Sequence, residues 1–137
     1  MKHVFADTSF HIALVRPDDE NHAGSREFDR RFGGRYFTSE FVLIELGNWL
    51  ADPRNRSVFF EIVRVLRSDP RTTILPATSE WVARRAALYG QRPDKHWSFI
   101  DCISFEMMRD VGVTDALTTD HHFTQAGFHA LLAAGAT

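Results

Sequence analysis

The chain has 137 residues, of which 44% are hydrophobic and 25% are charged, a composition typical of a soluble globular protein with one domain over residues 1–137. Its single cysteine, Cys102, excludes an internal disulfide and favours the reducing cytoplasm. Asp7 comes too early for a signal peptide, and no apolar run reaches the roughly 20 residues that span a bilayer, so we expect no membrane partner. A net charge of −2 argues against a protein that coats nucleic acid through bulk charge.

Turn signals divide the chain into short segments of alternating character. In chain order we predict a strand at 3–6, a strand at 35–38, helices at 39–51 and 57–66, a strand at 72–75, helices at 79–89 and 98–111, a strand at 116–118 and a weaker strand at 128–131. Strands that alternate with helices indicate a parallel sheet with helices on both faces. We therefore predict the α/β class, as a three-layer α/β/α sandwich around a four- to five-stranded, mostly parallel sheet.

An acidic residue follows two of the predicted strands. Asp7 comes directly after the first strand, and Asp120 follows the strand near residue 117. Ligands of open parallel sheets bind beyond the carboxyl ends of the strands, at the point where the strand order reverses. If these two strands are neighbours at that point, the two carboxylates converge.

Two further acids lie within apolar helical segments. Glu45 follows Ile44, and Asp101 lies between Ile100 and Cys102. An ionised carboxylate is costly to bury unless it is paired or bound to a metal, and several carboxylates together repel one another. A divalent cation removes both penalties. Oxygen ligands without a convincing histidine set favour Mg²⁺ or Mn²⁺ over zinc.

Each acid also has a purely structural interpretation. Asp7 could cap a helix that begins near Thr8, and Asp120 could cap a turn that starts at His121. Asp101 could form a capping box with Ser98. Glu45 could pair with an arginine across a helix interface. The residues alone thus indicate a divalent-metal site but leave these alternatives open.

Four short motifs in this sequence resemble those of PIN domains, particularly the VapC-type toxins of toxin–antitoxin pairs. In chain order they are Asp7-Thr8-Ser9, Thr38-Ser39-x-x-Val42-x-x-Glu45, the segment from Trp97 to Phe105, and the segment from Leu117 to Phe123 with Gly127-Phe128. The third motif is the most specific, and the four together span nearly the whole chain.

The resemblance implies a Mg²⁺- or Mn²⁺-dependent endoribonuclease that acts on structured RNA, forms a homodimer and is inhibited by a small antitoxin. It assigns the catalytic and metal-binding roles to four acids, with two supporting hydroxyls: Asp7, Glu45, Asp101, Asp120, Thr8 and Thr119. We expect Asp7, Asp101 and Asp120 to hold one or two ions and Glu45 to complete the shell or orient the attacking water.

RNA that reaches an acidic centre needs basic side chains beside it. The candidates lie in turns, with one aromatic residue for base stacking: Arg16, Arg54, Arg56, Lys95, His96 and Trp97. For any single basic residue, we favour the simpler interpretation as a solvated surface charge. We interpret Cys102 as a core residue, and we set aside His121 and His122 because adjacent residues on a helix do not face one metal together.

Two other functions are compatible with parts of this pattern. A phosphotransfer or phosphatase domain would use a nucleophilic aspartate after the first strand, but it usually needs a second aspartate two residues on, where the sequence has Ser9. A non-catalytic module that binds RNA or protein would keep the fold without cutting. The presence of all four acids favours the nuclease over both.

Overall fold

A computed structural model of the protein describes residues 2–133. The elements, in chain order, are β1 (His3–Ala6), α1 (Thr8–Val15), α2 (His22–Arg31), β2 (Arg35–Ser39), α3 (Glu40–Trp49), a 3₁₀ turn (Pro53–Asn55), α4 (Arg56–Ser68), β3 (Thr72–Leu75), α5 (Ser79–Gln91), α6 (Phe99–Val111), β4 (Asp115–Leu117), α7 (His121–Gln125) and β5 (His129–Ala130). None of these helices is long and apolar enough to cross a membrane.

The five strands form one sheet in the order β3-β2-β1-β4-β5, and all four pairings are parallel. The predicted α/β fold is therefore confirmed, as are the five strand positions to within two residues at each end. β1 pairs with β2 on one side and with β4 on the other, so the strand order reverses there. This is the point at which the two strand-end acids were expected to meet.

Three helices lie outside the predicted set, α1, α2 and the short α7, although a helix after Asp7 was one of the structural alternatives. In α1 the buried residues Thr8, Phe10, His11 and Ala13 mix polar with apolar side chains, so no apolar stripe marks the helix. In α2 almost every residue is polar, and Phe28 supplies the main apolar contact. Both helices are held mainly by packing against the sheet and against each other, which periodicity alone does not reveal.

The core lies on both faces of the sheet. Successive residues of β1 point to opposite sides. Val4 and Ala6 pack in one cluster with Phe10, while Phe5 packs in another with Phe105. Cys102 is buried in the second cluster, which confirms its interpretation as a core residue.

Replacement of Gly34 by alanine should destabilise the fold. A Cβ at this position would overlap the carbonyl oxygen of Lys2, which accepts the hydrogen bond from the Arg35 N–H that aligns β1 with β2. We expect Gly34→Ala to lower the free energy of unfolding by about 1–3 kcal/mol, measured by denaturant unfolding. Gly33→Ala is the matched control, because a Cβ there meets no atom within 4 Å. Equal stability of the two variants would contradict this account.

Candidate metal centre

Asp7 and Asp120 lie at the same edge of the sheet. Ala6 of β1 is in register with Leu117 of β4, and the Asp7 N–H donates to the Leu117 carbonyl at 3.1 Å. Asp7 is the N-cap residue of α1, and Asp120 is the N-cap residue of α7. The expectation that their strands are neighbours is confirmed.

The Asp7 carboxylate is buried and is tied to β4 rather than to its own helix. It forms no side-chain capping bond, so that structural alternative does not apply to it. Its Oδ2 accepts the Thr118 hydroxyl at 2.8 Å, and the same hydroxyl accepts the Asp120 N–H at 3.0 Å. Burial, together with the charges of Glu45 and Asp101, raises the pKa of Asp7 to about 7.

Glu45 reaches the same edge from α3. Its side chain is half-buried, and its Oε1 accepts the hydroxyl of Thr8 at 2.6 Å. The predicted supporting role of Thr8 thus has a direct contact. No ion pair with an arginine was found for Glu45 in residues 2–133. Burial raises the pKa of Glu45, and the charges of Asp101 and Asp120 raise it further.

Asp101 combines a capping bond with a place in the cluster. Its Oδ2 accepts the Ser98 N–H at 3.0 Å, and the Ser98 hydroxyl accepts the Asp101 N–H, so the capping box is present. The same oxygen lies 3.2 Å from His122 Nδ1. The pKa of Asp101 is raised, first by burial and then by the charge of Asp120. A cap and a functional acid are therefore compatible in one residue.

The structure corrects our interpretation of the histidine pair. Asp120 and one ring nitrogen each from His121 and His122 offer ligand atoms within 4.8 Å of one another. The helix begins only at His121, and the extended backbone of Asp120 lets its carboxylate fold back to accept the His122 N–H at 2.8 Å. Helix geometry does not exclude a shared site for these two adjacent histidines, because they occupy only the first two positions of α7. An acid directly before two histidines at a helix start was the signal that we missed.

The supporting threonine differs from the one that the motif suggested. Thr119 is exposed, and its backbone N–H donates to Ser9 Oγ at 3.0 Å. The hydroxyl that contacts Asp7 is that of Thr118, which is fully buried. The sequence analysis assigned Thr118 only to the strand.

The basic candidates are spread over the surface, and two of them, Lys95 and His96, line a cavity beside α7. Arg54 pairs with Asp52 at 2.9 Å, and Arg56 donates to the backbone carbonyl of Ala51. Arg16 does not line the cavity beside α7. That cavity, of about 300 Å³, is lined by Asp94, Lys95, His96, His121, His122 and Gln125.

The predicted stacking role of Trp97 is wrong. Its side chain is only 7% exposed, and its indole N–H donates to Gln125 Oε1 at 3.1 Å. The ring packs edge-on against Phe105, and the Arg92 guanidinium lies 5.2 Å from its centroid. This aromatic residue anchors the loop before α6 and is not accessible to a base.

The donor set suits a divalent cation. Among residues 2–133, no lysine or arginine forms an ion pair with any of the four acids, and hydrogen bonds reach only one oxygen of each: Asp7 Oδ2, Glu45 Oε1, Asp101 Oδ2 and Asp120 Oδ1. The second oxygen of each carboxylate remains available. Uncompensated carboxylates with available oxygens match the preference of hard cations.

Comparison with known proteins places the chain in a family. The sequence profile of the PIN domain matches residues 4–129. The 23S rRNA-specific endonuclease VapC20 of Mycobacterium tuberculosis is 28% identical over 133 residues, which cover 91% of this chain and 95% of VapC20. The crystal structure of VapC20, described as a sarcin-ricin loop cleaving toxin, aligns with a TM-score of 0.81 at 24% identity over the same shares.

Two more distant structures share the fold. VapBC2 from Rickettsia felis, bound to a DNA fragment from its promoter, aligns with a TM-score of 0.63 at 11% identity over 91% of this chain and 93% of that one. FitAcB from Neisseria gonorrhoeae aligns with a TM-score of 0.61 at 17% identity, over 90% of this chain and 91% of that one. Since the family profile covers nearly the whole chain, this protein belongs to the PIN domain family.

Proposed function

We propose that this chain is a single-domain, divalent-metal-dependent endoribonuclease with its active site at Asp7, Glu45, Asp101 and Asp120. The observation that carries the proposal is the proximity of four carboxylates, whose burial and mutual charges raise the pKa values of Asp7, Glu45 and Asp101. Each has one oxygen without a hydrogen-bond partner, and none pairs with a lysine or arginine among residues 2–133. The similarity to VapC20, an endonuclease specific for 23S rRNA, supports RNA as the substrate. A non-catalytic binding module would have no need to retain so costly a cluster.

The four acids divide into two roles. Asp7, Asp101 and Asp120 hold the cation, and the all-oxygen donor set favours Mg²⁺ or Mn²⁺. When bound, such an ion lowers the pKa of a coordinated water and stabilises charge on the scissile phosphate. Glu45 is half-exposed, with Oε1 fixed by Thr8, so its other oxygen can orient the attacking water and accept its proton. In-line attack by water yields a 5′-phosphate and a 3′-hydroxyl.

RNA approaches this site along the cavity beside α7. Lys95 and His96 line that cavity together with His122, whose Nδ1 lies 3.2 Å from both Asp101 and Asp120. Cations at this position can contact backbone phosphates next to the scissile bond. We therefore select Lys95 and His96 from the basic candidates.

The chain acts as the toxin of a toxin–antitoxin pair in this proposal. VapC20 is described as a toxin, and VapBC2 provides a structural likeness. A cavity of about 730 Å³ between α1, α2 and α4 offers a place for a segment of a small antitoxin, since Leu14, Ile62 and Leu66 line it together with Arg26 and Glu61. A toxin that cleaves ribosomal RNA, as VapC20 does, would act in the cytoplasm, so we infer a cytoplasmic location for this chain.

A homodimer belongs to the same proposal. Large apolar side chains are exposed on several helices of the described residues; those on α3 and α5 are Ile44, Trp49, Val82 and Tyr89. Each is between 45% and 55% exposed, which is unfavourable in a monomer when several occur together. Burial of these side chains against a second copy of the chain would remove that cost.

Loss of the Asp101 charge should abolish cleavage. Asp101→Asn keeps the shape and can still accept the Ser98 N–H, but it removes a charged ligand. We expect RNA cleavage to fall by about 100-fold or more, measured on total RNA with Mg²⁺ or Mn²⁺ and with EDTA. Asp110→Asn is the control, because this exposed acid on α6 pairs with Arg85 at 3.8 Å. Metal-independent cleavage that leaves 2′,3′-cyclic phosphates would overturn the mechanism.

The metal-free protein should lose stability as the pH rises, because folding raises the pKa of Asp7 from 3.8 to about 7. The folded state then holds one proton more than the unfolded state between these values, so the free energy of unfolding falls as pH increases from about 4 to 7 and levels off above. A tenfold change in proton affinity corresponds to about 1.4 kcal/mol, so this shift lowers the free energy of unfolding by about 4 kcal/mol.

The measurement compares wild type with Asp7→Asn in EDTA, by denaturant unfolding across this pH range. The contribution of His11, whose pKa burial lowers to about 4, has the opposite sign but is common to both proteins. Wild type should become the less stable of the two above pH 7, and added Mg²⁺ should reverse the order. Parallel pH profiles would show that Asp7 is ionised in the free protein.

Loss of Lys95 should weaken RNA binding through the phosphate backbone. In the Asp101→Asn background, Lys95→Ala should reduce affinity and lower the slope of log affinity against log salt by about 0.7–0.9, the effect of one phosphate contact. Fluorescence anisotropy with labelled RNA at several salt concentrations measures both quantities. Arg54→Ala is the control, because Arg54 is paired with Asp52. An unchanged salt slope would remove Lys95 from the RNA path.

A further inference from the structure

The start of α7 carries a second donor set that differs in chemistry from the four carboxylates. Asp120 and the imidazoles of His121 and His122 offer one oxygen and two nitrogens within 4.8 Å of one another. The two rings have centroids 4.5 Å apart, and His121 Nδ1 lies 3.9 Å from Asp120 Oδ1. The proposed nuclease mechanism uses Asp120 but neither histidine.

We propose that Asp120, His121 and His122 form a separate site for a borderline transition-metal ion, with Zn²⁺ as its preferred occupant. Zn²⁺ held there binds the Asp120 carboxylate and neutralises its charge, so occupation of this site weakens the binding of Mg²⁺ or Mn²⁺ and inhibits the nuclease. The Zn²⁺ site itself is independent of the proposed function, whereas the inhibition rests on it.

The geometry requires only a small adjustment. Zn²⁺ binds nitrogen and oxygen ligands at about 2.0–2.2 Å in a tetrahedron, which places the ligand atoms about 3.4 Å apart. His122 Nδ1 is already 3.2 Å from Asp120 Oδ1, and on binding the ion it would give up its contact with Asp101 Oδ2, which is also 3.2 Å long. The remaining contraction falls on His121, whose side chain is 72% exposed and can rotate without disturbing the core. His96 lines the same cavity and, like water, is available for the fourth position.

The two donor sets select different ions. Mg²⁺ demands oxygen ligands and rarely accepts imidazole, whereas nitrogen donors raise the affinity for Zn²⁺ in the Irving–Williams order. The four-carboxylate centre therefore favours Mg²⁺ or Mn²⁺, and the site at α7 favours Zn²⁺. The two sites share the Asp120 carboxylate and differ in their other ligands. An ion bound at one site therefore weakens the binding of an ion at the other.

Zn²⁺ binding by the whole protein, without RNA, tests the site. Competition with a chromophoric chelator gives the Zn²⁺ affinity of wild type, His121→Gln and His122→Gln. We expect each substitution to weaken Zn²⁺ by about 10- to 100-fold, the range for perturbed metal sites. His129→Gln is the matched control, an exposed histidine on β5 that contacts Asp115 at 3.0 Å. Co²⁺ should show the strong visible bands of a four-coordinate site in wild type and lose them in His121→Gln.

Asp7→Asn distinguishes the two donor sets. We expect this variant to retain the Zn²⁺ affinity of wild type, since Asp7 belongs only to the carboxylate centre. Zn²⁺ affinity that is lost in Asp7→Asn but retained in His121→Gln would place the ion among the carboxylates and overturn the proposal. The same conclusion would follow from a Co²⁺ spectrum of an all-oxygen, six-coordinate ion in wild type.

Competition for Asp120 is measured without catalysis, by titrating Mn²⁺ and following the electron paramagnetic resonance signal of the free ion. One equivalent of Zn²⁺ should weaken Mn²⁺ binding to wild type by about tenfold or more and should have little effect in His121→Gln. Unchanged Mn²⁺ binding in the presence of Zn²⁺ would overturn the shared role of Asp120. If both binding results hold while the wild type cleaves no RNA, the proposed function fails and the Zn²⁺ site stands.

Discussion

The parallel pairing of β1 with β4 is the constraint on which the metal centre depends. In a parallel sheet the chain leaves every strand at the same edge, and the register of Ala6 with Leu117 places the next residues side by side. The buried Thr118 hydroxyl then links the segments that follow β1 and β4, because it donates to the Asp7 carboxylate and accepts the Asp120 N–H. One side chain thus sets the separation of two acids that are more than a hundred residues apart in sequence.

The cost of collecting four carboxylates is partly offset by the helices that begin there. Asp7 and Asp120 are N-cap residues, and Asp101 lies in the first turn of α6, so all three face the positive end of a helix dipole. For Asp101 and Asp120, the bonds that cap the helix also fix the orientation of the carboxylate. The structural and the functional interpretations of these acids therefore describe the same contacts, and an observed cap is no argument against a metal ligand.

The sequence was sufficient to predict those features of the fold and site that depend on the residue type at a single position. Short apolar segments predicted the strands of the sheet, and the acids that follow the first and fourth strands, Asp7 and Asp120, were correctly placed at its edge. The sequence was insufficient where the burial of a side chain depends on residues that are distant along the chain. Trp97 was assigned to the surface because it lies in a polar turn, but Phe105 and Gln125 bury it. The amphipathic pattern that marks a helix is lost in α1, which packs on several elements at once.

The four acids share a feature that explains how a buried cluster stays both rigid and reactive. In each, one oxygen is bound to the protein by a neighbour, such as Thr8 for Glu45 or Ser98 for Asp101. The other oxygen has no hydrogen-bond partner among residues 2–133. A hydrogen bond to one oxygen limits the rotation of the carboxylate, while the other oxygen keeps its lone pairs for an external cation. Asp120 is the most exposed of these anchored aspartates and adjoins two imidazoles, which makes it the ligand that a second kind of metal ion can reach.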